Sequence, residues 1–185
     1  MGDPRKLRNK YESPRKVWDA ERIKTESKLR SVYGLKNTRE IWVMLQVLKR
    51  ARRDAMKYLS LGEEGRAKAQ PLMARLARLG VIQPDAKIDD VLSLSVENFL
   101  DRRLQSLAMK KGLARTARQS RQLITHGFIA VKGRKVSVPS YMVTADEEKY
   151  IAYYRPIDIA VHEEEPKKKA EPAEAEQPAA PETAQ

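Results

Sequence analysis

Between residues 100 and 135, ten Lys and Arg stand against one acidic residue, Asp101. Cationic side chains at this density do one kind of chemistry well, which is to grip anions. A phosphodiester backbone needs several positive groups spaced along a groove rather than one deep pocket. Arg also brings a planar fork that holds phosphate oxygens and stacks on bases. The charges arrive in three groups. Arg102 and Arg103 precede Lys110 and Lys111 by roughly two helical turns, so the pairs share one side of a predicted helix. Arg115 stands just before a second helix carrying Arg118, Gln119, Arg121 and Gln122. Arg118 and Arg121 are neighbours at i,i+3, and the free amides at that helix start add to the pull on anions. Lys132, Arg134 and Lys135 form a basic turn. A solvated pair of basic helices would carry the same charges, but the basic turn and a second basic block upstream favour nucleic acid.

That second block spans residues 1–60, with 17 basic and 7 acidic residues. Residues 1–20 lack helical periodicity and contain Pro4 and Pro14. They read as an extended arm that needs a partner to order it, with Arg5, Lys6, Arg8, Lys10, Arg15 and Lys16 as its contacts. Arg50 and Arg53 add charge from the polar face of the following helix. Elsewhere the balance reverses: 5 basic to 6 acidic in residues 61–99, 2 to 4 in 136–162, and 3 to 7 in 163–185. The whole chain of 185 residues carries +12, yet the two basic blocks carry +10 and +9. A chain kept soluble by charge mixes its signs along its length. This one segregates them.

Other chemistries are excluded by what is missing. There is no Cys, so no disulfide, thiolate metal site or thiol nucleophile. The two His, His126 and His162, are too far apart in sequence to suggest a metal site, and no cofactor is expected. No glycine-rich phosphate loop, dinucleotide fingerprint or nucleophile-elbow serine is present. No apolar run reaches the length of a membrane span, and the charged N-terminus does not resemble a secretory signal. The expectation is a soluble intracellular protein of one domain or at most two. It is not an enzyme, has no membrane partner and forms no homo-oligomer.

The elements that must position these charges follow from periodicity. A highly charged helix is expected over residues 19–33. A stronger one over 38–61 has Thr38 as N-cap, Ile41, Leu45, Leu48, Ala55 and Leu59 on its apolar face, and Gly62 as its stop. A third covers 64–79, with Pro71 as a kink or true start. A helical turn at Ile88–Leu92 leads into an amphipathic helix over 95–111, capped by Ser95. The capping-box pattern Thr116-Ala117-Arg118-Gln119 starts a short helix reaching His126. Period two then takes over. Phe128–Val131 and Val136–Val138 flank the turn Lys132–Lys135 as a hairpin, with Tyr150–Tyr154 as a third strand. Trp18 and Trp42 are expected in the core rather than stacked on bases, and the Tyr cluster at 150, 153 and 154 is expected to pack the strand, with Tyr153 or Tyr154 as the alternative contact to RNA. Asp89-Asp90 is explained by a helix start, and His126 by a helix end. The fold class is α+β: a mostly helical region (1–94), a small helix-helix-β-hairpin unit (95–162) and a disordered acidic tail (163–185). A tail of that charge also suits a decoy against non-specific anions.

The ordered series Phe99-Leu100-Asp101-Arg102-Arg103-Leu104-Gln105, Gly112-Leu113-Ala114, Ala117-Arg118-Gln119, Arg121-Gln122-Leu123-Ile124, His126–Val131, Gly133-Arg134 and Val138-Pro139-Ser140-Tyr141 resembles the RNA-binding domain named after small-subunit ribosomal protein four. That domain also occurs in some RNA-modifying and tRNA-charging enzymes. Met1–Lys6, Lys10–Pro14, Tyr33–Asn37 and Arg39–Trp42 resemble the archaeal branch of that ribosomal protein family. The likeness runs from residue 1 to about 162. It implies a helical body joined to an α/β unit, both pressed on small-subunit rRNA in its 5′ domain, with early binding in assembly. It also implies a place beside the channel by which mRNA enters, contact with ribosomal protein five, and a role in decoding accuracy in the cytoplasm. By motif match, Arg102, Arg103, Arg115, Thr116, Arg118, Gln119, Arg121, Gln122, His126, Lys132 and Arg134 would touch RNA. Bacterial members often carry an N-terminal Cys cluster, which this chain lacks. The alternative is an RNA-binding accessory or RNA-modifying protein outside the ribosome that shares the domain.

Overall fold

A computed structural model describes residues 9–155. Arg5, Lys6, Arg8, His162 and the acidic tail lie outside the described residues. Residues 9–19 form no helix or strand, but they are not adrift. The Tyr11 ring lies 5.8 Å from Trp42, Gln46 donates to Glu12, and Arg22 donates to the carbonyls of Lys16 and Val17. This part of the expected arm is ordered by the chain's own helices. Trp18 is 91% exposed, against the expectation of a core position. Trp42 is half-buried and donates to Glu26, a carboxylate only 6% exposed.

Helix α1 (Ala20–Val32) leads through a tight loop to α2 (Thr38–Ser60). Asn37, not Thr38, caps α2, accepting from the Arg39 amide at 3.2 Å. The buried face of α2 is Ile41, Met44, Leu48, Ala51 and Ala55. Leu45 is only half-buried and Leu59 is 39% exposed, so the apolar face lies slightly to one side of the expected one. Arg50 and Arg53 are exposed on the other side, as expected. Helix α3 (Gly62–Arg78) follows after a single residue, and Pro71 sits inside it. The corner depends on Gly65: a Cβ there would sit 1.8 Å from the Tyr58 carbonyl oxygen. Helices α4 (Ile88–Ser93) and α5 (Val96–Asp101) complete the first half. The Asp90 side chain accepts the Lys87 amide at the start of α4, a helix-start role of the kind expected for Asp89-Asp90. Ile41, Leu48, Leu76, Val91, Phe99 and Leu100 lie in one core.

The predicted helix over 95–111 is broken. Helix α6 (Leu104–Lys110) starts anew after Arg102 and Arg103. Arg103 is extended and bridges antiparallel to Met142. On either side, the Leu104 amide donates to Tyr141 and the Val143 amide to Arg102. Periodicity could not show this, because Val96, Phe99, Leu100, Leu104 and Leu107 keep helical spacing across the break. Phe99 and Leu100 enter the first core, whereas Leu104 and Leu107 enter a second with Ile124, Ile129, Val143 and Ile151. The changeover falls one helix after the expected boundary at residues 94/95. It also means that Arg102 and Arg103 do not share a helix side with Lys110 and Lys111.

Helix α7 (Ala117–Thr125) packs on α6. Strands β1 (Ile129–Val131) and β2 (Arg134–Lys135), helix α8 (Ala145–Glu148) and β3 (Ile151–Tyr153) finish the described chain. The sheet is antiparallel in the order β2-β1-β3, with Val131 opposite both Arg134 and Ile151. The hairpin turn is tighter than expected. Lys132 and Gly133 take φ of 50° and 72°, the two positive values of a type I′ turn. Arg134 and Lys135 therefore lie in the strand. Val136–Val138 runs past the strand's end, and Val138 is 52% exposed. The mostly helical α+β class stands.

Gly34 joins the two halves. Its φ is +58°, and a Cβ would lie 2.9 Å from the Ala117 Cβ. Gly34→Val is expected to destabilise the fold by about 1–3 kcal/mol through strain at a left-handed position, plus displacement of α7. Urea denaturation of the two proteins side by side tests it, and equal midpoints would contradict the packing described.

Candidate nucleic-acid interface

Thr116 caps α7: its hydroxyl accepts the Gln119 amide at 3.2 Å, and the Gln119 side chain accepts the Arg115 amide at 2.9 Å. Both polar groups serve the helix start, one residue further back for Gln119 than the capping-box expectation. Fixing this start aims Arg118 and Gln122 outward, and both are exposed. Arg121, three residues beyond Arg118, turns partly inward.

Its partner is Glu40, in the first turn of α2. The Glu40 carboxylate accepts from Arg121 at 2.9 Å and from Arg103 at 2.5 Å. Arg103, expected to face nucleic acid, is 1% exposed. Its guanidinium is unavailable to any phosphate in this conformation, because its extended backbone points the side chain into the seam between the halves. Beside it, the buried Gln105 amide nitrogen lies 2.9–3.1 Å from the carbonyls of Tyr33, Gly34 and Ala117. Ser120 donates to the Gln105 carbonyl. Burial alone would push the Glu40 carboxyl above its ordinary value, but hydrogen bonds from Arg121 and Arg103 outweigh that, and the net direction is down.

The remaining expected contacts divide in the same way. Arg102 is largely buried and pairs with Glu148 at 2.7 Å, with Gly80 close against its guanidinium. Lys110 is exposed and pairs with Asp101 at 2.8 Å. Lys111 is exposed and donates to the Glu148 carbonyl. Lys132 is exposed at the hairpin turn, 3.6 Å from Glu147. The exposed Lys135 side chain lies across Gly127, and Arg115 is exposed at the start of α7. His126 is the exposed C-cap residue of α7, its ring 6.5 Å from Phe128. Among the described residues, Arg118 and Arg134 form no ion pair. Lys10, Arg15, Lys16, Arg50 and Arg53 are exposed on the helical half. The Tyr cluster departs from expectation: Tyr150 and Tyr154 are 59% and 48% exposed, and Arg155 lies 6.0 Å from the Tyr154 ring centre. Periodicity missed Glu40 and Gln105, which have no local signature. Both Glu40 contacts and the Gln105 contacts to Tyr33 and Gly34 span more than sixty residues.

Among the described residues, no group of three His, Asp or Glu is placed to hold a metal, and no helix is long and apolar enough to cross a membrane. What remains at the surface is a set of cations held at fixed spacing by a helix cap, a hairpin and a buried ion pair. A two-helix-and-hairpin unit carrying those cations defines an S4-domain protein. The S4 domain family model matches residues 102–149, beginning at the break between α5 and α6. The chain is 46% identical to small ribosomal subunit protein uS4 of Methanothermobacter thermautotrophicus over 155 residues, covering 83% of this chain and 91% of that protein. It is 48% identical to uS4 of Ignicoccus hospitalis, covering 83% and 93%, and 43% identical to uS4 of Korarchaeum cryptofilum, covering 89% and 99%. The chain belongs to the small ribosomal subunit protein uS4 family, in its archaeal-type branch.

Removing Glu40 leaves Arg103 buried without its charge partner, so Glu40→Ala is expected to cost about 3 kcal/mol. Because the folded-state carboxyl is lowered, ionised Glu40 stabilises the fold above its ordinary value of 4.5. That contribution is lost as pH falls through the folded-state value. The stability gap between the native chain and Glu40→Gln is therefore expected to shrink from pH 6 to pH 3, measured by urea denaturation. A constant gap would remove the charge from the explanation.

Proposed function

We propose that this chain is a structural constituent of the small ribosomal subunit, a cytoplasmic particle, where it binds small-subunit rRNA and performs no catalysis. The observation that carries the reading is the pairing of uS4 membership over both halves with exposed, unpaired Arg118 and Arg134 on the S4 unit. Structured RNA offers phosphates along a deep, narrow groove and little base identity. A rigid array of cations reads that shape and needs no pocket. The exposed basic residues of the helical half, Lys10, Arg15, Lys16, Arg50 and Arg53, supply a second hold, with Arg5, Lys6 and Arg8 continuing it along the sequence.

We further propose, from the family resemblance, that the RNA is the 5′ domain and that binding comes early in subunit assembly. The site in the particle would be beside the channel by which mRNA enters, in contact with ribosomal protein five, with an effect on decoding accuracy. A protein outside the ribosome that borrows the domain would share the S4 unit alone. Here the likeness extends over 83–89% of the chain, which favours the ribosomal reading.

Two measurements test it. In sedimentation of archaeal extract, the chain is expected to co-migrate with small subunits at moderate salt and to separate only at high salt. Free protein at all salt concentrations would sink the proposal. Arg118→Ala with Arg134→Ala is expected to reduce the salt slope of rRNA binding by about two, one per lost phosphate contact. An unchanged slope would take both residues out of the interface.

A further inference from the structure

Not every face of the molecule answers to phosphate. Residues 61–99 hold 5 basic and 6 acidic residues, and with the end of α2 they border an open groove of about 900 Å³. Its floor is α3, where Ala69, Met73 and Ala77 fall at i, i+4 and i+8 and so share one side of the helix. Leu59 forms one wall, and Pro84 with Ile88 the other. Leu59 is 39% exposed and Met56, one turn earlier on α2, 64%, so apolar surface continues past the rim. Two cations stand at the margins, Arg66 on α3 and Lys87 at the head of α4. Neither forms an ion pair among the described residues. Asp89, the acidic side chain among the described lining residues, lies in the first turn of α4, where it complements the helix start. From Arg66 to Ala77 the floor runs for about three helical turns.

We propose that this groove seats an amphipathic helix of another protein of the small subunit, laid along α3 with apolar side chains inward and carboxylates toward Arg66 and Lys87. The inference rests on the reading of this chain as a small-subunit constituent, and goes beyond it by giving a face without basic excess its own occupant. Charge decides against RNA here. A phosphate backbone gains from several cations spaced along its path. The groove offers two, with Asp89 beside them and apolar side chains between them that give a phosphate nothing. A helix with apolar anchors at i, i+3, i+4 and i+7 matches both the length and the character of the floor. The Ala side chains of α3 let its backbone come close, and Met73 adapts to the shape it meets. Carboxylates on the flanks of that helix complement the two unpaired cations and fix its register.

The chain has no Cys, so Ala74→Cys sets a single thiol in the groove at an exposed position of α3. Its labelling by a maleimide is followed in three states: the free full chain, its complex with a small-subunit rRNA transcript, and intact small subunits from an archaeal strain carrying the variant. Labelling is expected in the first two and lost in the third. Gln70→Cys, also exposed in the groove, carries a photocrosslinker on its thiol into reconstituted subunits. The adduct is expected on a helical segment of another protein. Loss of labelling in the rRNA complex, or an adduct on rRNA, would overturn the proposal in favour of RNA. Loss in the free chain would overturn it too, assigning the groove to a second copy if the loss depends on concentration and to this chain's own residues if it does not. Labelling that persists in intact subunits would leave the groove open, overturning the docking while the chain's presence in the particle upholds the ribosomal reading. A chain absent from small subunits would overturn both.

Discussion

The arrangement hangs on one carboxylate shared by two guanidinium groups. Glu40 belongs to the helical body, while Arg103 and Arg121 sit at the start and on the second helix of the S4 unit. With Arg103 at 1% exposure, water screens the interaction weakly, and an unpaired guanidinium there would be costly. Such a group is stable only where its partner is, so the body and the unit are fixed to each other. Around this pair, Gln105 binds the loop and α7, and Tyr33 donates to Asp101. A connected polar network of this kind specifies one packing where apolar contact alone would tolerate several.

The same pair divides the basic residues into two trades. Total charge suggested that every cation in residues 100–135 faces outward. In the fold, Arg102 and Arg103 are consumed by carboxylates at the seam, and Lys110, Lys111 and Lys132 have acidic-side-chain or carbonyl partners nearby. The cations left to a ligand are fewer and better spaced than composition implied. Charge density in a sequence counts both kinds alike, because the acidic partners come from elsewhere in the chain. Glu40 lies 63 residues from Arg103 and 81 from Arg121.

Local signals suffice where local physics decides. The cap at Thr116, the extent of α2 and α7, the hairpin and the third strand all follow from patterns a few residues long. The helix break at Arg102-Arg103 did not, because its cause is pairing with residues 141–143. The apolar rhythm of 96–107 continues undisturbed across two cores. Trp18 and the Tyr residues of 150–154 show the opposite case. Aromatic type alone favours packing, yet the structure leaves Trp18, Tyr150 and Tyr154 facing solvent. Of the interface, the α7 and hairpin residues were visible from spacing.

The Gln105 side chain, with its amide close to three carbonyls from two distant segments, has a geometric consequence. Apolar surfaces slide over one another with little change in energy, whereas a hydrogen bond weakens steeply once bent or stretched. Joining two greasy cores through directional bonds turns the molecule into a calliper. The jaws are the α1–α2 loop and α7, and their separation is graduated by bond length and angle, not by how tightly oil is squeezed.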